Sequence, residues 1–215
     1  MIQVQTILDR AALLLEDEQQ DIWTEAELVL WVDDALTTIV NHRPDVYVKR
    51  AVVHLKEGTY QDLPEDGIIL IRLTRNMSTH TSITGLPLDV LDDQHPSWRA
   101  PALATIVEHY VYTDRDPKHF EVFPSVADGV QIELDYGAAP PSVTVATDTI
   151  PLGKEYVNIL TDWVLYRAWS KDDEAANQSK AMVHFQAFSQ ALGVKTNTER
   201  GIMPNTLHAV GVKPS

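Results

Sequence analysis

The hydrophobic positions of this chain fall into three successive rhythms. Residues 2–16 place Val4, Ile7, Leu8, Ala11, Leu14 and Leu15 at helical steps, which predicts a first helix, and the acidic run Glu16-Asp17-Glu18 that follows suits a loop better than a buried segment. A second helix starts at Thr24, where Thr24-Glu25-Ala26-Glu27 spells a capping box. It carries Leu28, Trp31, Val32, Ala35, Ile39 and Val40 and cannot continue through Pro44. So wide an apolar stripe implies burial against other helices.

From Val46 to Gly137 the period shortens to two. Ala51, Val53 and Leu55 alternate with Val52, His54 and Lys56, and Ile69, Ile71 and Leu73 form a second strand-like run. Gly58 and Leu63-Pro64-Glu65-Asp66-Gly67 supply turn chemistry between them, and Pro87 to Gln94 reads as a short helix. Phe120–Phe123 and Val130–Tyr136 predict a hairpin about Asp128-Gly129, the second strand with one wet face. Gly137-Ala138-Ala139-Pro140-Pro141 then leaves the sheet in an extended form.

The helical rhythm returns with Tyr156, Ile159, Leu160, Trp163, Val164 and Arg167. Ser170 with Asp173 three residues later is a helix-start signal, and Asp172 and Glu174 add negative charge where the helix dipole favours it. The next stripe is Ala181, Phe185, Phe188 and Leu192, with Gly193 placed to stop the helix. An antiparallel helical hairpin is predicted. Arg167 inside an apolar stripe needs a carboxylate, for which Asp162 and Asp172 lie near in sequence. Arg167, Asp172 and Asp173 are therefore candidates for bracing the hairpin or a subunit contact.

The fold expected from these rhythms is α+β. It is an antiparallel helical bundle of the N-terminal helices and the C-terminal hairpin (1–45 and 150–193), an inserted antiparallel β-rich region (46–149), and an extended C-terminal arm (194–215). The arm has no sustained period. Lys195, Arg200 and Lys213 against Glu199 make it +2 in a chain of −14. Ile202, Met203, Leu207, Val210 and Val212 would give it apolar contacts if it orders on a partner. A frayed terminus and a docking arm remain equal readings of it.

Length and charge narrow the classes. The 215 residues hold one large domain or two small ones, with enough apolar surface to fold without staples. The chain has no Cys, which excludes disulfides, thiolate zinc sites and a cysteine nucleophile, and fits assembly in a reducing cytoplasm. No stretch approaches the roughly 20 apolar residues of a membrane span, and the first residues lack a leader pattern, so a soluble, unprocessed chain is expected. A net charge of −14 argues against gripping nucleic acid, whose phosphates are bound by Lys and Arg.

Candidate chemistry is sparse. Asp92 and His95 lie one helical turn apart and make half a metal site, but no pattern supplies the remaining ligands. Asp114-Arg115-Asp116 before Pro117 reads as a turn. No P-loop, dinucleotide or nucleophile-elbow signature is present. Trp163, Tyr166, Arg167 and Trp169 read better as packing than as a stacking platform. No catalytic residue, cofactor or metal ligand is assigned.

Four segments together carry a family resemblance. They are W-V-L-Y-R-A-W-S-K-D at Trp163–Asp172 with the downstream A-N and H-F-Q-A-F, W-T-E-A-E-L-V-L-W-V-D-D-A at Trp23–Ala35, Pro44-Asp45, and E-G-T-Y-Q-D-L-P-E-D-G at Glu57–Gly67. In this order, over roughly residues 1–193, they resemble the head-to-tail adaptor proteins of short-tailed bacteriophages, the tail tubular protein A type. The resemblance implies a structural virion protein rather than an enzyme. It implies a connector ring of twelve copies between the portal protein and the tail nozzle protein, lining the channel for packaging and ejection of the viral genome. Assembly would take place in the host cytoplasm.

Such a ring would carry a charge of roughly −170, and DNA would slide through its bore without specific binding. The arm, with Arg200, Ile202, Met203, Leu207, Val210 and Val212, would dock on the portal. The alternative is a phage-encoded cell-wall or metal-dependent hydrolase, which needs two facing carboxyls that 31 acidic residues always offer. A helical interaction module outside viruses is a third reading.

Overall fold

The computed structural model describes residues 1–100, 103–171 and 177–202, with side chains as far as Gly193. The chain divides into two compact units, Met1–Arg43 with Pro140–Ser215, and Pro44–Ala139. Among the described residues there are five α-helices and nine strands in three sheets. The expected helical bundle with an inserted β-rich region is therefore not what is found. Sheets form much of the fold, and one of them lies in the same unit as the helices.

That sheet is a two-residue pairing of β1 (Ile2–Gln3) with β9 (Thr149–Ile150). Its strand β1 precedes α1 (Val4–Leu15), which buries Val4, Ile7, Leu8, Ala11 and Leu15 of the expected stripe but leaves Leu14 exposed. The acidic loop turns at Glu16, which adopts φ 58°, but Asp17 is buried rather than solvated. Its carboxylate accepts the backbone N–H groups of Asp21, Ile22 and Trp23 at 2.9–3.0 Å. The capping box of α2 (Glu25–His42) forms as read, with Thr24 and Glu27 satisfying each other's backbone N–H.

The last two helices depart from expectation at their ends. Helix α4 (Val157–Ser170), entered through a 3₁₀ turn at Lys154–Tyr156, contains Ser170, whose hydroxyl donates back to the Tyr166 carbonyl. Asp173, the other half of the expected start signal, lies outside the described residues. Helix α5 (Gln178–Ile202) is instead capped by Asn177, whose side chain accepts the Lys180 N–H at 3.0 Å. It also runs through Gly193 to Ile202, so the first nine residues of the expected extended arm are helical. Glycine inside a helix costs only about 1 kcal/mol and stops one only where a left-handed turn is needed.

The other unit contains two sheets around one core. The first has the order β2 (Val48–His54), β8 (Gln131–Ala138), β4 (Gly67–Asn76), all antiparallel. The second has the order β3 (Gly58–Asp62), β7 (His119–Val126), β6 (His109–Val111), β5 (Thr84–Gly85), with β5 parallel to β6. Leu70, Leu73, Ile132 and Leu134 of the first pack with Tyr110, Phe120, Val122 and Val126 of the second. Helix α3 (Leu88–Gln94) lies in the segment between β5 and β6 and buries Leu91 against Trp98 and Val111.

Two strand expectations are corrected here. β7 and β8 do not form a hairpin, since they belong to different sheets. Asp128-Gly129 is the crossing between them, where Gly129, at φ 82°, donates its N–H to Leu55 rather than to β7. Nor does β8 keep a wet face. Asp135 is 6 % exposed and accepts from Arg50 Nε (2.6 Å) and Arg72 Nε (2.8 Å), while Glu133 accepts from Arg75 Nη2 (3.1 Å). In β4 the bulges shift the inward residues to Leu70 and Leu73 instead of a strict alternation through Ile69 and Ile71.

The Arg50 guanidinium, then Arg72, holds the Asp135 carboxyl below the usual carboxylate range against the opposing effect of burial. Asp135→Ala should therefore destabilise the protein by about 1.5–3 kcal/mol in urea titration. Because the folded-state pKa is depressed, this contribution is present above the unfolded value near 4 and is lost as pH falls through the lower folded value. The wild-type and variant stabilities should converge on acidification.

Candidate interaction site on the helical unit

Two of the four segments that carry the family resemblance meet on one helix. Leu160, Val164 and Ala168 recur on one face of α4, while Asp162 and Tyr166 lie roughly 160° and Trp163 roughly 100° away around the axis. The second set meets α5. Trp163 packs on Phe188 (ring centroids 4.8 Å), Tyr166 on Phe185 (5.1 Å), and His184 Nδ1 lies 2.9 Å from Asp162 Oδ1. The pairs Trp163–Phe188, Tyr166–Phe185 and Trp169–Lys180 run in opposite directions along the two helices, so the pair is antiparallel. The first set is covered by α1 and α2, the other helices packed on α4.

Trp23, at the entrance to α2, closes that side. Its ring meets Trp169 edge to face at 5.3 Å and its indole N–H donates to the Ala168 carbonyl at 3.2 Å. Asp17 aims it, because the carboxylate fixes the backbone at Trp23. Burial opposes ionisation of Asp17, but the three backbone N–H groups prevail and its pKa is lowered. Two ion pairs run alongside: Lys171 Nζ to Glu27 Oε1 at 2.8 Å, and Arg167 Nη1 to Asp34 Oδ2 at 3.0 Å. Asp33 accepts the Val143 N–H at 2.7 Å. The W-T-E-A-E-L-V-L-W-V-D-D-A and W-V-L-Y-R-A-W-S-K-D segments thus form a single clasp.

Arg167 pairs with Asp34 on α2, and Asp162 is engaged with α5. Asp172 and Asp173 lie outside the described residues, as do Met203, Leu207, Val210 and Val212. Arg200 and Ile202 fall within α5, with side chains that are not described.

In the other unit, the third segment is also structural. The Gln61 side chain braces its turn through Lys56 N, Lys56 O and Gly58 O, and Asp66 accepts from Lys49 Nζ and the Tyr136 hydroxyl. Asp92 accepts the Trp98 indole N–H at 2.7 Å, and His95 stacks on Phe123. No group of three metal-ligating side chains occurs among the described residues.

One cluster was missed from the sequence. His119 sits between Asp116 (Nδ1, 2.6 Å) and Asp62 (Nε2, 3.3 Å), stacked on Tyr60, whose hydroxyl also donates to Asp116. His119 and then Tyr60 lower the Asp116 pKa. The pairing register of β3 with β7 brings these positions together, and nothing in local spacing signals it. An open cleft of about 610 Å³ nearby in sequence is lined by Met77, Ile106, Asp128 and Val130 and offers Asp128 as its one ionisable side chain.

The clasp predicts unequal costs. Trp23→Ala should destabilise by about 3–5 kcal/mol, because a buried aromatic is lost. Arg167→Ala should cost no more than about 1 kcal/mol, since both partners are roughly 40 % exposed and screened by water. Urea titrations of the two variants, followed by near-ultraviolet circular dichroism, would read the difference.

No curated protein matches the chain. The family model described as SU10 adaptor protein matches residues 2–208, nearly the whole length and all of the clasp. This is in keeping with the phage head-to-tail adaptors that the motifs resemble, and with a structural, virion-associated role. The chain belongs to the SU10 adaptor protein family.

Proposed function

We propose that the protein is the connector between portal and tail nozzle, assembling as a ring of about twelve copies through which the genome is packaged and ejected. The observation that carries this reading is the family match over residues 2–208. The charge distribution supports it. Pro44–Ala139 holds 8 Lys and Arg against 15 Asp and Glu, the rest of the chain 9 against 16, so each half carries −7. A ring built from such halves repels the phosphate backbone at every level, and DNA passes without adhering.

In this reading the work of the protein is geometric. The helical unit supplies neighbour contacts, the β-sheet unit faces the tail, and the residues from Met203 onward, among them Leu207, Val210 and Val212, dock on the portal.

Mass photometry of the purified chain mixed with the portal protein of the same phage tests the assembly. About twelve copies added per portal ring are expected. A folded chain that never associates with the portal would overturn the connector reading. A variant ending at Ile202 keeps every described element, so it should fold normally and fail to join the portal. Normal joining by that variant would remove the arm from the reading.

A further inference from the structure

Helix α5 has an outer face whose composition is unusual for a surface. From Ala181 to Val194 the chain has no Asp, Glu, Lys or Arg, the longest such run of its 215 residues. Yet among the described side chains of this stretch, as far as Gly193, only Ala181, Phe188 and Leu192 are buried, while Met182 is 56 % and Val183 62 % exposed. Isolated exposed apolar residues need no explanation, but a surface helix with neither charge nor a cover has the composition of an interface centre. The buried stripe faces α4, so the uncharged face points away from the unit.

A second exposed apolar pair stands on the other side of α4. Leu13 (64 % exposed) lies opposite the buried stripe of α1, and Leu14 (59 %) at its edge, so both are open to the outside. Charge separates the two surfaces as well. The α5 segment Gln178–Ile202 carries +2, from Lys180, Lys195 and Arg200 against Glu199, while Met1–Arg43 carries −7, from nine acidic and two basic residues.

We propose that the outward face of α5, around Met182 and Val183, docks on the outward face of α1, around Leu13 and Leu14, of a second copy of this chain. The inference rests on the ring reading and names the surfaces that join its neighbours. Three features fit this occupant. Copies of net charge −14 repel one another, and the α5 face is where a contact sets no acid against acid. The weakly basic helix complements the acidic N-terminal segment. Finally, the two surfaces differ and flank one central helix, so the contact is head to tail and repeats, as a closed ring requires.

The absence of Cys makes the test direct. The full chain carrying Leu14→Cys and Val183→Cys is treated with a short bismaleimide, free at high concentration and again bound to the portal protein, with Leu13→Cys and Met182→Cys as a second pair. All four side chains are exposed, so unchanged thermal melts are expected. Each double variant should give a ladder of covalent dimers, trimers and longer species, and each single variant should stay monomeric.

Dimers from Val183→Cys alone, as fast as from the double variant, would mean that α5 pairs with itself and would overturn the proposal. Linkage of Val183→Cys to the portal chain instead of to a second copy would do the same. A ring counted on the portal by mass photometry, without a ladder from either pair, would overturn this contact and leave the ring reading standing. A folded chain that makes no ring on the portal would overturn both.

Discussion

Helix α4 has to be covered on two opposite faces, and the rest of the helical unit follows from that requirement. A helix with Leu160, Val164 and Ala168 on one side and Trp163 and Tyr166 on the other has no face to give to water. Its apolar residues are not gathered on one stripe, which is the mark of a central helix rather than of a surface one. The cover on one side is α5, laid antiparallel and held by ring contacts. On the other it is α1 and α2, locked by Trp23 against Trp169 and by the ion pairs at Glu27 and Asp34. The N-terminal segment and the C-terminal one are far apart in sequence, so the unit closes only when both are present.

The same logic of covering governs the polar groups. Asp17, Asp135 and Glu133 are acidic residues that the chain buries with donors in place: three backbone N–H groups for Asp17, Arg50 and Arg72 for Asp135, and Arg75 for Glu133. Burial raises a carboxyl's pKa, and the donors more than reverse it at Asp17 and Asp135. These residues do not add much net stability, because desolvation offsets much of the attraction. They specify geometry instead. Asp17 sets where Trp23 enters, and Asp135 ties the two outer strands of its sheet to the middle one.

Local grammar was legible where a single element decides the outcome. The capping box at Thr24, the short helix after Pro87 and the inward set Ala51, Val53 and Leu55 follow from residue spacing alone. Apart from Gly193, which α5 runs through, the misreadings involve a choice made by distant residues. Asp128-Gly129 can close a hairpin or carry the chain between sheets, and the partner of β8 decides which. Glu133 and Asp135 alternate with apolar residues as a wet face would, and only Arg50, Arg72 and Arg75 on the neighbouring strands make them a covered one. Arg167 announces its need for a carboxylate, for which Asp162 and Asp172 lie near in sequence, and the packing of α2 on α4 brings it Asp34. The His119 cluster is silent in the sequence for the same reason.

On the ring reading proposed above, an acidic chain that joins its own copies would face a constraint that the composition alone does not reveal. Electrostatic repulsion between subunits grows with every acidic residue left at the joint, yet the acid is useful wherever DNA has to pass without sticking. The two demands are compatible only if charge is distributed unevenly. The sequence has that distribution: Met1–Arg43 holds nine acidic residues, whereas Pro140–Ser215 is neutral with seven of each sign, and its one exposed helix has a run of 14 residues with no charge. A helix that met only solvent would have no reason to exclude Lys and Glu, which are good helix formers and soluble. Their exclusion from Ala181–Val194 is therefore better explained by a surface that is covered in the assembly.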